Sequence, residues 1–242
     1  MDSNLASYVL QYAGYLLEAV LVFYLVWTSE WKRQRAIAYY ISCLLVAELS
    51  RGYALGKFGL RSAKYITVYW TTDFLLVISL FVLLGLFFRR ACLHEEKMWR
   101  FVRLLLVFVA VVVVGISGLT FSHNYSHLFL RFITEFNQNL YFTCLVLNTL
   151  LYLLLQQIES PDEQLGLLVC GVGIQFAGPA ATLALVHLTG GETFALSLGS
   201  LAMRVCTLGM LLVWAYAITR IKVKAIQVSG SKNPILAEVT AD

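Results

Sequence analysis

The chain has 242 residues, 60% of them hydrophobic and 13% charged, with a mean hydropathy of +0.76. A soluble domain carries about 25% charged residues, so this composition excludes an ordinary soluble domain and points to a polytopic membrane protein. The net charge of +4 is no sign of nucleic acid, because the basic residues stand in loops beside apolar spans, where the positive-inside bias accounts for them; the expected partner is a lipid bilayer.

Seven spans of about 20 residues would use about 140 residues, leaving short loops and no room for a second domain. The opening stretch MDSNLASY has no Lys or Arg. A secretory leader needs a basic start, so the first apolar segment is expected to remain as a mature helix. That span is predicted over residues 7–28, with Glu18 near its middle. A basic loop follows at Lys32, Arg33 and Arg35. The second span, 36–55, holds Glu48 and Arg51, which are i, i+3 on a helix and can pair. The third, 65–88, has Asp73 two turns in and the aromatics Tyr65, Tyr69 and Trp70 near its start, as a membrane interface favours.

After a basic loop the fourth span, 101–121, carries Arg103 at its inner end, where a long side chain can snorkel. The fifth, 132–156, is polar at its outer end (Glu135, Asn137, Gln138, Asn139) and has Asn148 deeper. The loop ESPDEQ reads as a turn. The sixth span, 165–188, contains Gln175, Pro179 and the glycines Gly171, Gly173 and Gly178, which allow close helix approach. Pro179 frees the carbonyl of Gln175, so a hinge or plain packing are both open there. The seventh span, 196–216, carries Arg204. The domain is therefore expected over residues 1–218, with a basic, then polar and disordered, cytoplasmic tail over 219–242.

Counting Lys and Arg with the N-terminus outside puts twelve on the inner side and five on the outer, Arg204 being intramembrane. The expectation is an all-α seven-helix transmembrane bundle, N-terminus outside and C-terminus inside, in a bacterial inner membrane. The basic loop between the second and third spans opposes the rule. None of the five cysteines falls in a predicted outer loop, so no disulfide framework is implied.

The intramembrane charges are the main candidate site: Glu18, Glu48, Arg51, Asp73 and Arg204, with Asn137, Asn139 and Gln175 as polar companions. Charges in hydrocarbon face the bundle interior and find partners. An unpaired arginine at mid-membrane is disfavoured by about 2.5–3.5 kcal/mol, so Arg204 is expected to contact Glu18, Glu48 or Asp73. Glu18 and Asp73 are the preferred partners, and Glu48 is left to Arg51 on its own helix. The polar interface is then expected among the first, second, third and seventh helices. Three deep acids face two deep bases, and the surplus acid must carry a proton, reach water or meet an exogenous cation. The alternative is that these charges only fix helix packing. The first, third and fifth spans each enter with aromatic-x-x-acid (Tyr15 to Glu18, Trp70 to Asp73, Phe132 to Glu135), the pattern either of a duplicated helix pair or of coincidence in an aromatic-rich chain.

No metal site or cofactor is expected. His123 and His127 have i, i+4 spacing and His187 lies in the other outer turn, but HxxxH alone is a weak metal signal. The chain has no P-loop, GxSxG or HExxH, and no lysine in the seventh span to anchor a retinal Schiff base. An enzyme is not expected. The stretch Tyr69-Trp70-Thr71-Thr72-Asp73, running into a long apolar helix that ends at Arg89-Arg90, resembles uncharacterised bacterial seven-helix membrane proteins with Tyr-Trp-x-x-Glu in helix 3. Asp73 replaces the Glu here, and the resemblance implies the seven-span fold and no activity. The leading functional expectation is a small sensory or receptor-like module with an outer-half polar pocket for a small ligand or cation and a cytoplasmic signalling partner. A small-solute or proton-coupled transporter is the alternative, and a purely structural role the third.

Overall fold

A computed structural model describes residues 2–28, 34–59, 62–93, 95–121, 128–158, 162–189 and 201–219, with backbone alone for 2–8, 119–121, 128–131, 134–135 and 179–189. The described residues form seven α-helices: α1 (Asp2–Trp27), α2 (Arg35–Phe58), α3 (Ala63–Ala91), α4 (Glu96–Phe121), α5 (Leu128–Gln157), α6 (Glu163–Thr189) and α7 (Leu201–Thr219). No strand occurs among them. Helix is the economical state for such a chain, because it satisfies every backbone N–H and C=O within one segment.

Five of the helices, α1, α3, α4, α5 and α7, are long and apolar enough to cross a membrane. This is the build of a multi-pass membrane protein. Among the described residues α2 does not meet that measure. It carries Arg35, Glu48, Arg51 and Lys57 along one helix, so its apolar run is broken by the charges that build the site described below. Several helices outrun their apolar cores: α3 begins at Ala63 and α4 at Glu96. Helix propensity in Lys, Glu, Met and Arg carries the backbone past the point where hydropathy ends.

Local chemistry sets several ends. Gly59 closes α2 at φ 74°, its N–H donating to the Leu55 carbonyl at 3.0 Å, a backbone state that costs glycine least. Ser62 caps α3 by accepting from the Lys64 N–H. Asp162 caps α6, its Oδ1 accepting from the Leu165 N–H at 3.1 Å.

α3 is the hub of the bundle. It packs on α2, α4, α5 and α6, while α1 packs on α2. The core is aliphatic and aromatic, with Leu80, Leu83, Leu84, Leu151, Leu168 and Met210 buried among neighbours. α7 docks on α6 through two glycines. A Cβ on Gly171 would lie 2.5 Å from the Trp214 indole nitrogen, and one on Gly178 would lie 3.0 Å from the Met203 Cα. Glycine there lets the nitrogen-bearing edge of the indole reach the α6 backbone, where its N–H donates to the Leu168 carbonyl at 3.0 Å. The other side of Trp214 meets the ring of Tyr40 on α2, edge-on at 5.7 Å. The small-residue run in the sixth span thus serves helix approach. All five cysteines are free.

Candidate functional site: a charged cluster spanning four helices

The cluster grows from Arg51 on α2. One turn earlier on the same face stands Glu48, and the i, i+3 spacing brings its Oε1 to 3.8 Å from Arg51 Nη1. Opposite, on α3, Arg51 Nη2 meets Asp73 Oδ1 at 3.2 Å. Arg51 Nε donates to Thr72 Oγ1 at 2.8 Å, and Nη2 also donates to the Tyr69 carbonyl at 3.4 Å. The guanidinium lies over the Tyr69 ring, 4.5 Å from its centroid, within the range of a cation–π contact. A planar five-donor fork can serve a carboxylate, a hydroxyl, a carbonyl and a ring face at once, which a lysine could not.

Two further helices close the cluster. From α5, Asn137 Nδ2 donates to the second oxygen of Asp73 at 2.9 Å. From α1, the Tyr15 hydroxyl donates to Glu48 Oε2 at 3.4 Å and accepts from Gln11 Nε2 at 2.5 Å. The result is one polar chain across α1, α2, α3 and α5. It is half-buried, and it holds two acids against one base.

The arrangement corrects the sequence reading in one respect and extends it in another. Arg51, not Arg204, is the base that holds Asp73, and it holds Glu48 as well. None of the ion pairs among the described residues joins Arg204 to Glu18, Glu48 or Asp73, and Arg204 has an interaction of its own. The reason lies in packing: α2 and α3 are the most intimately paired helices of the bundle, so a base on α2 reaches Asp73 directly. On α7 it is Met203 and Cys206, the residues flanking Arg204, that meet Gly178 of α6. The polar interface therefore uses α5 where α7 was expected. The i, i+3 pairing of Glu48 with Arg51 is present as expected.

The remaining candidates separate. Asn139 sits apart from the cluster and donates to Ser117 Oγ of α4 at 3.4 Å, because two residues on from Asn137 the helix has turned to another face. Gln175 is half-buried on α6, its Oε1 without a hydrogen-bond partner. Glu18 is buried at 2% exposure beneath Tyr15, and its Oε2 has no hydrogen-bond partner. His123 and His127 and the side chains of Glu135, Pro179 and His187 lie outside the described residues, as does the tail beyond Thr219. No group of His, Cys, Asp and Glu side chains among the described residues could hold a metal ion.

A second polar knot stands at the opposite end of α3, and the sequence reading passed over it. Arg90 grips Asp162 bidentately, Nε to Oδ2 at 2.8 Å and Nη2 to Oδ1 at 3.1 Å, and Nη2 also donates to Gln164 Oε1 at 3.0 Å. Gln164 Nε2 donates in turn to the Ala217 carbonyl near the end of α7 at 3.4 Å. This ties the end of α3 to the start of α6 and the end of α7. The usable signal was an Asp just before an apolar helical run, which is a helix N-cap pattern. Cys92, the C-cap of α3, lies buried beside this knot, and burial pushes its thiol up.

Comparison with protein-family models, with curated proteins and with solved structures finds no match to this chain.

Proposed function

We propose that the chain is a seven-span receptor-like membrane protein, N-terminus outside and C-terminus inside, whose outer-half cluster binds a small solute bearing positive charge. The observation that carries this reading is the Glu48–Arg51–Asp73–Asn137 cluster. It draws on four helices, keeps partial exposure, and is acid-rich by one charge. Buried ion pairs rarely stabilise a fold relative to apolar packing, so a half-buried cluster of this size is a costly way merely to fix helices. An amine would meet the surplus acid charge, and the Tyr69 and Trp70 rings, edge-on at 5.8 Å, offer π faces beside it. α3 runs from this cluster to the Arg90–Asp162 knot, so a shift of α3 on binding would reach the inner face, where a signalling partner could read it. The resemblance in the Tyr-Trp-x-x-acid stretch of α3 fits the same architecture.

Thermal unfolding of the purified protein against putrescine, tetramethylammonium and acetate tests this. The two cations should raise the midpoint in wild type and leave Asp73→Asn unmoved. Acetate alone having an effect, or none of the three having one, would overturn it. A cation-coupled carrier is the second reading, and the buried Glu18 favours it. Net uptake of labelled putrescine into proteoliposomes would decide for the carrier, binding without uptake for the receptor.

A further inference from the structure

Glu18 is the one acid of the cluster region that the Arg51 network leaves unserved. It lies one turn below Tyr15 on the same face of α1, at 2% exposure, with Oε2 fully enclosed and without a hydrogen-bond partner. One turn away, the Tyr15 hydroxyl is bonded to Glu48, another acid. Tyr40 of α2 and Cys144 of α5 are buried in the core these helices share. Arg51 is committed to Asp73, Thr72 and Tyr69. The polar groups one turn from Glu18 are therefore the Tyr15 hydroxyl and, bonded to it from α2, the acid Glu48.

A second observation points the same way. Asn137 is 2% exposed, and its Oδ1 is enclosed without a partner. The amide orientation is set by the donation of its nitrogen to Asp73, so this orphan is an acceptor. Two enclosed acceptor oxygens, Glu18 Oε2 on α1 and Asn137 Oδ1 on α5, thus stand without donors. A buried acceptor without a donor keeps the full cost of its lost hydration, more when charged. An unpaired carboxylate costs more again. Both deficits are of one sign, and positive charge relieves both.

We propose that Glu18 is a site of reversible cation uptake, taking one exchangeable monovalent cation, a proton or an alkali ion, by way of the Tyr15–Glu48 contact. Glu48 is the accessible partner, 31% exposed in its side chain, and Tyr15 lies between it and the turn that carries Glu18. The cation enters at Glu48, passes the Tyr15 hydroxyl and rests on Glu18. This goes beyond the receptor reading and holds equally for a carrier; it requires only that α1 and α2 pack as described.

The test uses the full chain in detergent. Melting midpoints are recorded in NaCl against choline chloride at constant ionic strength, and across about pH 5 to pH 9, for wild type and Glu18→Gln. Because a ligand that binds only the folded state stabilises it, wild type should gain about 5 °C on loading, and Glu18→Gln should lose most of that gain. A response to Na⁺ identifies an alkali ion, and a response to pH alone identifies a proton. A wild type insensitive to both, or a response undiminished in Glu18→Gln, overturns the proposal. Should Glu18→Gln yield no folded protein, wild type is treated with a hydrophobic carbodiimide and mapped by peptide mass spectrometry. Modification of Glu18 that falls as Na⁺ or pH rises supports the site. Unmodified Glu18 under every condition refutes it, whatever becomes of amine binding at Asp73.

Discussion

Asp73→Asn tests whether the Arg51 pair is a built element of the fold. The asparagine keeps the shape of the side chain and can still meet Asn137, but the charge opposite Arg51 is lost. The pair's side chains are 15% and 18% exposed. That places it between a surface ion pair, worth about 0–1 kcal/mol, and a fully buried one, whose rupture costs about 3–5 kcal/mol. Glu48 at 3.8 Å offsets part of the stranded guanidinium charge, and Thr72 and the Tyr69 carbonyl keep their hydrogen bonds. A loss of about 2 kcal/mol is the expected result. Arg51→Met should cost about as much, because it strands Asp73 in turn. The double variant should cost less than the two together, with a coupling of about 1–2 kcal/mol. Reversible unfolding of the full chain by SDS in mixed micelles measures all four corners of the cycle. Arg204→Met serves as the control and should add to Asp73→Asn within about 0.5 kcal/mol. A coupling below about 0.5 kcal/mol for Arg51 with Asp73, or a larger one for Arg204 with Asp73, would refute the assignment of Arg51 as the anchor.

Three further outcomes are expected. Gly171→Ala should destabilise by about 1–3 kcal/mol, since the new methyl meets the Trp214 ring at 2.5 Å, whereas Gly166→Ala, with nothing within 4 Å, should be neutral or mildly stabilising in the same unfolding assay. Asp162→Ala removes both the α6 cap and the Arg90 partner and should cost about 1–2 kcal/mol; Arg90→Gln in that background should add little, and full additivity would show that the knot is not a unit. Cys92 should react slowly with a maleimide at neutral pH, because burial raises its thiol and leaves little thiolate. The folded state then holds a proton that the unfolded chain gives up near the ordinary value of about 8.5, so stability should fall as pH rises through that range, and Cys92→Ala should flatten the fall.

The sequence carried the architecture further than it carried the site. Long apolar runs, basic loops and turn residues mark the helices, since hydropathy in this chain is set by what each segment must face. The glycines of α6 were legible because only the smallest side chain allows an indole to lie against a helix backbone. The cluster was half legible. Intramembrane charges announced its members, and i, i+3 spacing announced Glu48 with Arg51. Which base served Asp73 was not legible, because depth along a helix does not give its azimuth. Arg204 and Arg51 were both open to Asp73 on the sequence, and only the pairing of α2 with α3 decides between them. Asn137 and Asn139 show the same limit: two residues apart in the sequence, they serve different partners because a helix turns about 200° between them. The Arg90–Asp162 knot was missed because it is a contact between helix ends far apart in the chain.

The two knots give α3 its mechanical interest. About 25 Å of helix separates Asp73 from Arg90, and the stretch between is lined with buried Leu76, Leu80, Leu83, Leu84 and Phe87. A helix packed on four neighbours moves as a rod or not at all, because close-packed interiors resist continuous deformation. Polar contacts, unlike apolar ones, have directional optima within a few tenths of an ångström. A cation drawn to Glu48 and Asp73 would compete with Arg51 for the same carboxylate oxygens, and any relaxation of Arg51 frees Thr72 and the Tyr69 carbonyl on α3 itself. The rod is then released at one end and held at the other by a bidentate pair that also caps α6 and reaches α7 through Gln164. A small translation of α3 must strain that pair or carry α6 and α7 with it. This geometry makes the half-buried Arg90–Asp162 pair, not the apolar length between the knots, the place where binding at the Arg51 cluster would be felt.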